Sequence, residues 1–297
     1  MTQQSNTRKA TLAALCACVI FGFSFMASRI AMAHTTPNML LSLRFVAALL
    51  IMSLLMLFGA GRLKLKGKPL GRFLLLGLCQ PVIYFIGESN GIKFTNSSFS
   101  GIMIALIPVI TALLSAVLLH EQLKLKRMIW ILCSLTGVVL ISLTQEGGAI
   151  QFKGILFLLL ADLAAAMFTI LSRSLSDDFT PFERTYVIML MGSLFFTGFA
   201  VVEEGDNYAA ALRAAVTDPN VLLPVLYLSV LSSVVAFFCQ NYAATYLRAA
   251  QVVTFTNITP IVSVLAGTLL LGEPFSLIHI PGIVLILLGV YMVNRNE

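Results

Sequence analysis

The sequence predicts an all-α integral membrane protein whose ten transmembrane helices form two inverted five-helix repeats around a central cavity. Its composition and an internal repeat both support this prediction. Apolar residues make up 59% of the chain, charged residues make up 11%, and the mean hydropathy is +0.95. Soluble domains contain roughly 25% charged residues, so the composition indicates a chain that folds in lipid.

Ten apolar runs are long enough to cross a bilayer as helices, which takes about 20 residues each. A transmembrane barrel would instead show segments of about ten residues that alternate in polarity, whereas Leu49–Phe58 and Ile283–Val290 are apolar on every side. The first run is too long for a signal peptide and lacks a cleavage site, so we expect it to remain as span 1. Spans 1 to 10 are predicted at residues 11–33, 38–60, 71–91, 99–119, 127–144, 154–173, 182–203, 221–243, 251–271 and 278–294.

The internal repeat joins Pro108–Val138 to Pro260–Val290. In both segments a proline is followed by twelve residues, a glutamate, fifteen residues and the pair Gly-Val, and equivalent positions lie 152 residues apart. A weaker similarity, with an offset of 144 residues, relates Ser28–Pro37 to Ser172–Pro181. We therefore divide the chain into repeats 1–146 and 147–297. Two copies of a five-span unit enter the membrane in opposite directions, as in secondary transporters whose site lies between the repeats near mid-membrane.

The basic residues fall mostly on one side of the predicted membrane. If the N-terminus is inside, fourteen of them lie on the inner side, and the outer side receives Lys93, Lys153 and Arg213. The positive-inside rule then predicts a multi-pass protein of the bacterial inner membrane with both termini in the cytoplasm. This distribution accounts for the net charge of +6, so we expect no nucleic-acid partner. The fourteen are Arg8, Lys9, Arg62, Lys64, Lys66, Lys68, Arg72, Lys124, Lys126, Arg127, Arg173, Arg184, Arg248 and Arg295.

All five cysteines fall inside predicted spans, so we expect buried thiols with no disulfide, no metal site and no cofactor. No nucleotide-binding loop of the Walker type occurs in the sequence, so ATP is not expected to drive this chain. The cysteines are Cys16, Cys18, Cys79, Cys133 and Cys239.

Ionisable residues inside the predicted spans need an explanation, because a charge at the centre of a helix costs roughly 2.5–3.5 kcal/mol on insertion scales. Asp162 is the deepest, at the middle of span 6. It is either a proton-titrating or cation-contacting group in a transport path, or a neutral carboxylic acid that braces two helices. Arg44, Glu88 and Arg29 lie in the outer thirds of spans 2, 3 and 1. They neutralise each other as a structural ion pair near the outer surface, which lowers the cost of burying them, or Arg44 or Glu88 contacts a charged substrate. We expect Arg29 to snorkel to the interface.

Uncharged polar residues cluster at the ends of spans 3 and 8 and at the start of span 9. Tyr84 precedes Glu88 by one helical turn, and the 152-residue offset places Gln240 on Glu88. Asn257 lies among the threonines of span 9. We interpret these side chains as a pocket for a small polar metabolite. The alternative is interhelical hydrogen bonding, worth about 0.6 kcal/mol for each bond.

Pro108 and Pro260 lie near the middles of predicted spans 4 and 9. Proline removes a backbone donor and kinks a helix, so this pair marks either equivalent gating hinges or fixed packing bends. Gly87 and Gly91 form a small-residue motif that allows two helices to approach closely. We expect a monomer or a weak homodimer.

Both copies of the proline–glutamate–glycine pattern, PVITALLSAVLLHEQLKLKRMIWILCSLTGVV and PIVSVLAGTLLLGEPFSLIHIPGIVLILLGV, resemble the ten-span EamA-type branch of the drug/metabolite transporter superfamily. FGFSFMASRIAMAHTTPNMLLSLRF is similar to the family's span 1–2 signature, although Phe21 replaces the usual tryptophan. Ile188 stands where a second copy of Arg44 would lie. The resemblance implies exporters or exchangers of amino acids and related metabolites, often driven by protons. It also implies a basket of ten helices with a cavity lined by spans 1–4 and 6–9.

We therefore expect a secondary transporter that moves a small polar metabolite, such as an amino acid, by alternating access, with export as the favoured direction and proton coupling as an option through Asp162. The expected substrate-binding residues are Asp162, Asn257, Gln240, Tyr84, Glu88, Arg44, Phe21, Ser24 and Phe25. A lipid or lipid-precursor flippase and a non-transporting membrane binding subunit are the alternatives. An enzyme is disfavoured and no catalytic residues are expected, because the three histidines lie near span ends and no catalytic motif occurs inside a span.

Overall fold

In the residues that the computed structural model describes, all regular secondary structure is helical. These residues are 2–59, 61–64, 67–118, 125–144, 150–247, 255–256, 258–273, 277 and 279–295. Seven helices are long and apolar enough to cross a membrane, and three shorter apolar helices correspond to spans 5, 9 and 10. The prediction of ten membrane-spanning helices is confirmed.

Six spans are single helices that begin and end within a few residues of the predicted bounds, except that span 1 starts nine residues earlier. They are span 1 (Thr2–Met32), span 2 (Pro37–Leu57), span 5 (Leu125–Thr144), span 6 (Phe152–Ser174), span 7 (Pro181–Glu204) and span 10 (His279–Arg295). Span 9 is described as Ile258–Leu270, and a short helix at Tyr208–Thr217 follows span 7.

Spans 3, 4 and 8 are each built from three helical segments. Span 3 comprises Leu70–Gly77, Leu78–Ile83 and Tyr84–Phe94. Span 4 comprises Ser97–Met103, Ile104–Leu106 and Ile107–Leu118. Span 8 comprises Pro219–Leu226, Tyr227–Ala236 and Phe237–Tyr246. The middle segments are π-helical in spans 3 and 8 and 3₁₀ in span 4.

The two ends of the helix bundle differ in charge, and we call them the basic end and the acidic end. At the basic end, Lys68 of the span 2–3 loop pairs with Glu183 at the start of span 7, at 2.8 Å. At the acidic end, Nδ1 of His34 lies 2.9 Å from a carboxylate oxygen of Asp218, and Asn38 donates to Glu203 at 2.8 Å. If ten spans cross the membrane alternately, these contacting segments are expected at the same end of the bundle, and they are found together there.

Spans 2 and 7 run antiparallel along their whole length. Ser42 lies 2.9 Å from Thr197 near the acidic end, and Ser53 lies 3.2 Å from Tyr186 toward the basic end. As the residue number rises in one helix, the number of its partner falls in the other. The second and seventh spans of the chain, which are equivalent in the two repeats, therefore point in opposite directions.

Spans 5 and 10 show the same relation at closer range, because residues there contact their own repeat equivalents. The Ser134 hydroxyl donates to the carbonyl oxygen of Ile286, which lies 152 positions later. A Cβ at Gly137 would lie 2.5 Å from the carbonyl oxygen of Gly282, and a Cβ at Gly289 would lie 2.7 Å from that of Trp130. Gly289 is the repeat equivalent of Gly137, and Trp130 is the repeat equivalent of Gly282, so the same contact occurs twice with the two repeats exchanged. This reciprocity is the mark of a two-fold axis passing between the helices.

Spans 3 and 6 pack through the predicted small-residue motif. A Cβ at Gly87 would lie 2.5 Å from the carbonyl oxygen of Phe157, and a Cβ at Gly91 would meet the side chain of Leu158. The glycines let the two backbones approach closely enough for van der Waals packing, which drives helix association in lipid. The motif thus joins two spans of one chain.

The glutamate of the repeated proline–glutamate–glycine pattern has a structural role at the acidic end. The carboxylate of Glu273, just after span 9, accepts four hydrogen bonds from the backbone amides and hydroxyls of Ser97 and Ser98, at 2.5–2.9 Å. These residues begin span 4, so Glu273 caps a helix of the other repeat and complements the positive end of its dipole. Its repeat equivalent, Glu121, lies outside the described residues.

The close contact between spans 5 and 10 generates a stability prediction. Gly137→Ala places a methyl group against the carbonyl oxygen of Gly282, so we expect it to lower the free energy of unfolding by about 1–3 kcal/mol. Gly198→Ala is the matched control, because no heavy atom lies within 4 Å of its Cβ position. Thermal unfolding of both variants in detergent measures the difference, and equal unfolding temperatures would contradict the described packing.

Candidate functional site

A cavity lies between the two halves of the chain. The volume of the cavity that the centre of a water molecule can occupy is about 120 Å³. Among the described residues, its lining comes from spans 1, 2, 3, 4, 6, 8 and 9. Span 7, which the family resemblance includes, contributes none of them. Eight residues singled out from the sequence line it: Phe21, Ser24, Phe25, Arg44, Tyr84, Glu88, Pro108 and Gln240.

The cavity wall follows the internal repeat. Phe85 and Phe237, which are equivalent under the 152-residue offset, both line it, as do Glu88 and Gln240. The pairs Gln80 and Ser232, Ile104 and Thr256, and Ile107 and Thr259 do the same. The side chains differ within most pairs, so the backbone of the cavity is nearly symmetric while its chemistry is not.

Arg44 is fully buried in the cavity wall, with 2% of its surface exposed. Its Nε donates to Ser233 and its Nη2 to Ser232, both at 2.8 Å. The guanidinium carbon also lies 4.4 Å from the centre of the Phe85 ring, a cation–π distance. Hydroxyls and an aromatic face thus hold the cation in the cavity wall.

The predicted ion pair of Arg44, Glu88 and Arg29 is wrong. In the described part of the chain, the ion pairs within 4.0 Å are Lys68–Glu183 and the one between His34 and Asp218. Glu88 accepts a long hydrogen bond, 3.5 Å, from the Tyr84 hydroxyl, and Arg29 donates to the carbonyl oxygen of Ile92 at 3.0 Å. The hydroxyls of span 8 hydrogen-bond Arg44 instead, and Arg44 and Glu88 line one cavity at a separation greater than that of an ion pair.

Two other predicted site residues do not line the cavity, and a third is not among the described residues. Asp162 is completely buried but does not line the cavity, and neither of its carboxylate oxygens has a hydrogen-bond partner among the described residues. Asn257 lies outside the described residues. Pro260 is buried as the third residue of span 9, whereas Pro108 lines the cavity just after the 3₁₀ segment of span 4.

The sequence analysis missed the breaks in spans 3 and 8. Their π-helical segments, Leu78–Ile83 and Tyr227–Ala236, overlap under the 152-residue offset and flank the cavity. Gln80 leaves helical geometry altogether, with φ −142° and ψ 112°. Pro81 is a sequence signal for the first break, but no proline lies inside the second. Such π segments are frequent at functional sites because they free backbone groups from the helix.

The role of Arg184 was also missed, because its position next to the 6–7 loop suggested a charge on the surface. It is completely buried. Its Nη1 donates to the carbonyl and hydroxyl oxygens of Ser172 at 2.8 Å, and its Nη2 donates to the carbonyl oxygen of Asn241 and the hydroxyl of Thr245. Ser172 and Asn241 line the cavity. Arg184 therefore lies directly behind the cavity wall, toward the basic end.

The chemistry of the cavity suits a small solute with polar and apolar parts. Aromatic rings of Phe21, Phe25, Phe85, Phe168 and Phe237 form much of the wall. Among the described residues, no group of three or more histidine, cysteine, aspartate or glutamate side chains is placed to hold a metal ion. The Gln240 side-chain oxygen is buried without a partner in this part of the chain, so it is a free acceptor for a bound solute.

Cysteine labelling tests which face of span 8 borders the cavity. In a variant without the native cysteines, we expect a charged thiol reagent to modify Gln240→Cys far faster than Phe238→Cys. Gln240 lines the cavity, whereas Phe238 is 40% exposed on the outer surface of the bundle, where lipid excludes a charged reagent. Equal rates in sealed vesicles would contradict this placement.

Comparison with known proteins identifies the family. The profile of the EamA-like transporter family matches the chain twice, over residues 8–143 and 152–295. The chain is 30% identical to the uncharacterized transporter YcxC of Bacillus subtilis (strain 168), over 97% of this chain and 93% of that protein. It is 24% identical to a probable amino-acid metabolite efflux pump of Salmonella typhimurium, over 96% of this chain and 95% of that protein.

A solved crystal structure shares the fold. It covers 97% of this chain and 98% of its own, with a TM-score of 0.65 and 17% sequence identity. At that identity the likeness concerns the fold alone. Together, the doubled family match, the relatives and the ten helices show that the chain belongs to the EamA-like transporter family, within the drug/metabolite transporter superfamily.

Proposed function

We propose that this protein is a secondary transporter that moves a small polar metabolite across the bacterial inner membrane by alternating access, with an amino acid or a related compound as substrate and export as its direction. One observation carries the proposal: two buried ionisable side chains of opposite type, Arg44 and Glu88, line the cavity between the halves without forming an ion pair within 4.0 Å. A buried ionisable group is stabilised by a hydrogen-bonded partner of opposite charge, and a zwitterionic solute supplies one such partner for each residue.

An amino acid fits this arrangement group by group. The Arg44 guanidinium, which lines the cavity, is suited to a carboxylate. Glu88, which accepts a long hydrogen bond from Tyr84 and lines the cavity, is suited to an ammonium group. The aromatic wall around Phe85 and Phe237 is suited to an apolar side chain. The similarity to a probable amino-acid metabolite efflux pump supports the same substrate class.

Alternating access requires two halves that move against each other. We take residues 1–146 and 147–297 as these halves, with the segmented spans 3, 4 and 8 and the prolines Pro108 and Pro260 as the places where helices bend. The antiparallel pairing of spans 2 and 7 supports this scheme, because the cavity wall then has a similar backbone toward either end. We place both termini in the cytoplasm, from the charge distribution, and expect a monomer or weak homodimer.

Flux through sealed proteoliposomes tests the proposal. We expect uptake of labelled L-phenylalanine or L-leucine, and we expect Glu88→Gln to lower kcat/KM about tenfold or more, because the ammonium group loses its charged partner. Glu203→Gln, at an exposed site of the acidic end, is the matched control and is expected to transport normally.

Other outcomes would assign a different function. Binding of these amino acids without flux would indicate a binding subunit, and movement of lipid but not of amino acids would indicate a flippase. Chemical turnover of a substrate by purified protein in detergent, with no second compartment, would indicate an enzyme.

Asp162 is our candidate for proton coupling. Its carboxyl group is completely buried and without a hydrogen-bond partner among the described residues, so its charged form is costly there. We expect Asp162→Asn to abolish the pH dependence of uptake while the unfolding temperature stays close to that of the wild type. Asp206→Asn, on the exposed surface of the acidic end, is the control. A variant with an unchanged pH profile would remove Asp162 from this role.

A further inference from the structure

We propose that Arg184 is a second binding station for the carboxylate of the substrate, reached from the same cavity toward the basic end. This inference rests on the proposed transport function and deepens it. It makes a carboxylate group the feature of the solute that is recognised twice, once near Arg44 and once near Arg184.

The first argument is the charge of Arg184. Its guanidinium is completely buried, and no carboxylate lies within 4.0 Å of it in the described part of the chain. Its four contacts are with hydroxyls and backbone carbonyls of Ser172, Asn241 and Thr245. Its Nε has no partner there. A buried cation that lacks a counter-charge is costly, so an anion that visits the site is favoured.

The second argument is the likeness to Arg44. Both arginines are buried, both donate to polar groups of span 8, and neither forms an ion pair within 4.0 Å in the described residues. Arg44 binds span 8 at Ser233, and Arg184 binds it at Asn241. Eight residues of helix separate these contacts, which is about 12 Å at 1.5 Å per residue. Phe237 and Gln240, between them, line the cavity.

The third argument is access. Ser172 and Asn241 line the cavity and contact Arg184 from the other side. The Ser172 hydroxyl donates to the Asn241 side-chain oxygen at 3.1 Å, so one polar pair between spans 6 and 8 separates the cation from the cavity. When spans 6 and 8 move apart, a carboxylate can replace the Ser172 oxygens on the guanidinium fork, which matches carboxylate geometry.

The class of ligand follows from both stations. A single arginine at each one suits a group with one negative charge. Glu88 beside the first station repels a dianion and attracts an ammonium group. The ligand class is therefore a small amino carboxylate, and its amide, which lacks the anionic group, is the analogue that both stations reject.

Matched acid and amide probes test this inference on the full-length protein in proteoliposomes. The probes are L-leucine with L-leucinamide and L-phenylalanine with L-phenylalaninamide. We expect the wild type to prefer the acid by about tenfold or more in kcat/KM, since a site built for a group rejects the analogue that lacks it. We expect Arg184→Gln to reduce this preference severalfold, and Arg184→Lys, which keeps the charge but not the fork, to reduce it less.

Arg213→Gln is the control, because Arg213 is an exposed cation on the short helix of the acidic end, and its variant is expected to keep the wild-type preference. If both Arg184 variants slow acid and amide by the same factor, Arg184 only braces spans 6, 7 and 8, and the inference is overturned. If Arg184→Gln fails to fold, Arg184→Lys alone decides by the same ratio. A wild type that moves both probes without preference refutes carboxylate recognition at both arginines and leaves transport standing, whereas a wild type that moves neither refutes the proposed transport of amino acids.

Discussion

Hydrocarbon offers no hydrogen-bond partner, so most polar groups in the described spans of this protein depend on another part of the same chain. This constraint explains why the described segments are helical and why glycines bring helices together at spans 3 and 6 and at spans 5 and 10. It also explains the partners of the buried arginines. Arg44 of span 2 reaches two serines of span 8, and Arg184 of span 7 reaches spans 6 and 8. Buried charge therefore ties together spans that are distant in sequence.

The architecture could be predicted from the sequence because it depends on hydropathy and on the internal repeat. Hydropathy marks each span, and the 152-residue offset relates Phe85 to Phe237 and Glu88 to Gln240, which the structure brings to one cavity. Both signals are local or internal to the chain. They need no knowledge of how one helix is rotated against another.

The features that the sequence did not reveal depend on that rotation. The depth of Asp162 was evident, but whether its side chain faces the cavity is set by the packing of span 6. Arg44 was expected to pair with Glu88 because both lie at one depth, yet the serines of span 8 come closer. Arg184 does not coincide with Arg44 under either repeat offset, so the repeat gave no reason to single it out. The π-helical segment of span 8 contains no proline, so the sequence of that segment did not predict a break in the helix.

The cap that Glu273 places on span 4 has a consequence for biosynthesis. Ser97 and Ser98 leave the ribosome long before Glu273 does, so the amides at the start of span 4 wait without their acceptor while most of the second repeat is made. The N-terminal half is therefore incomplete when it first enters the membrane. The cap on span 4 forms only after span 9 has been made, so the order of synthesis separates span 4 from its cap by most of the second repeat.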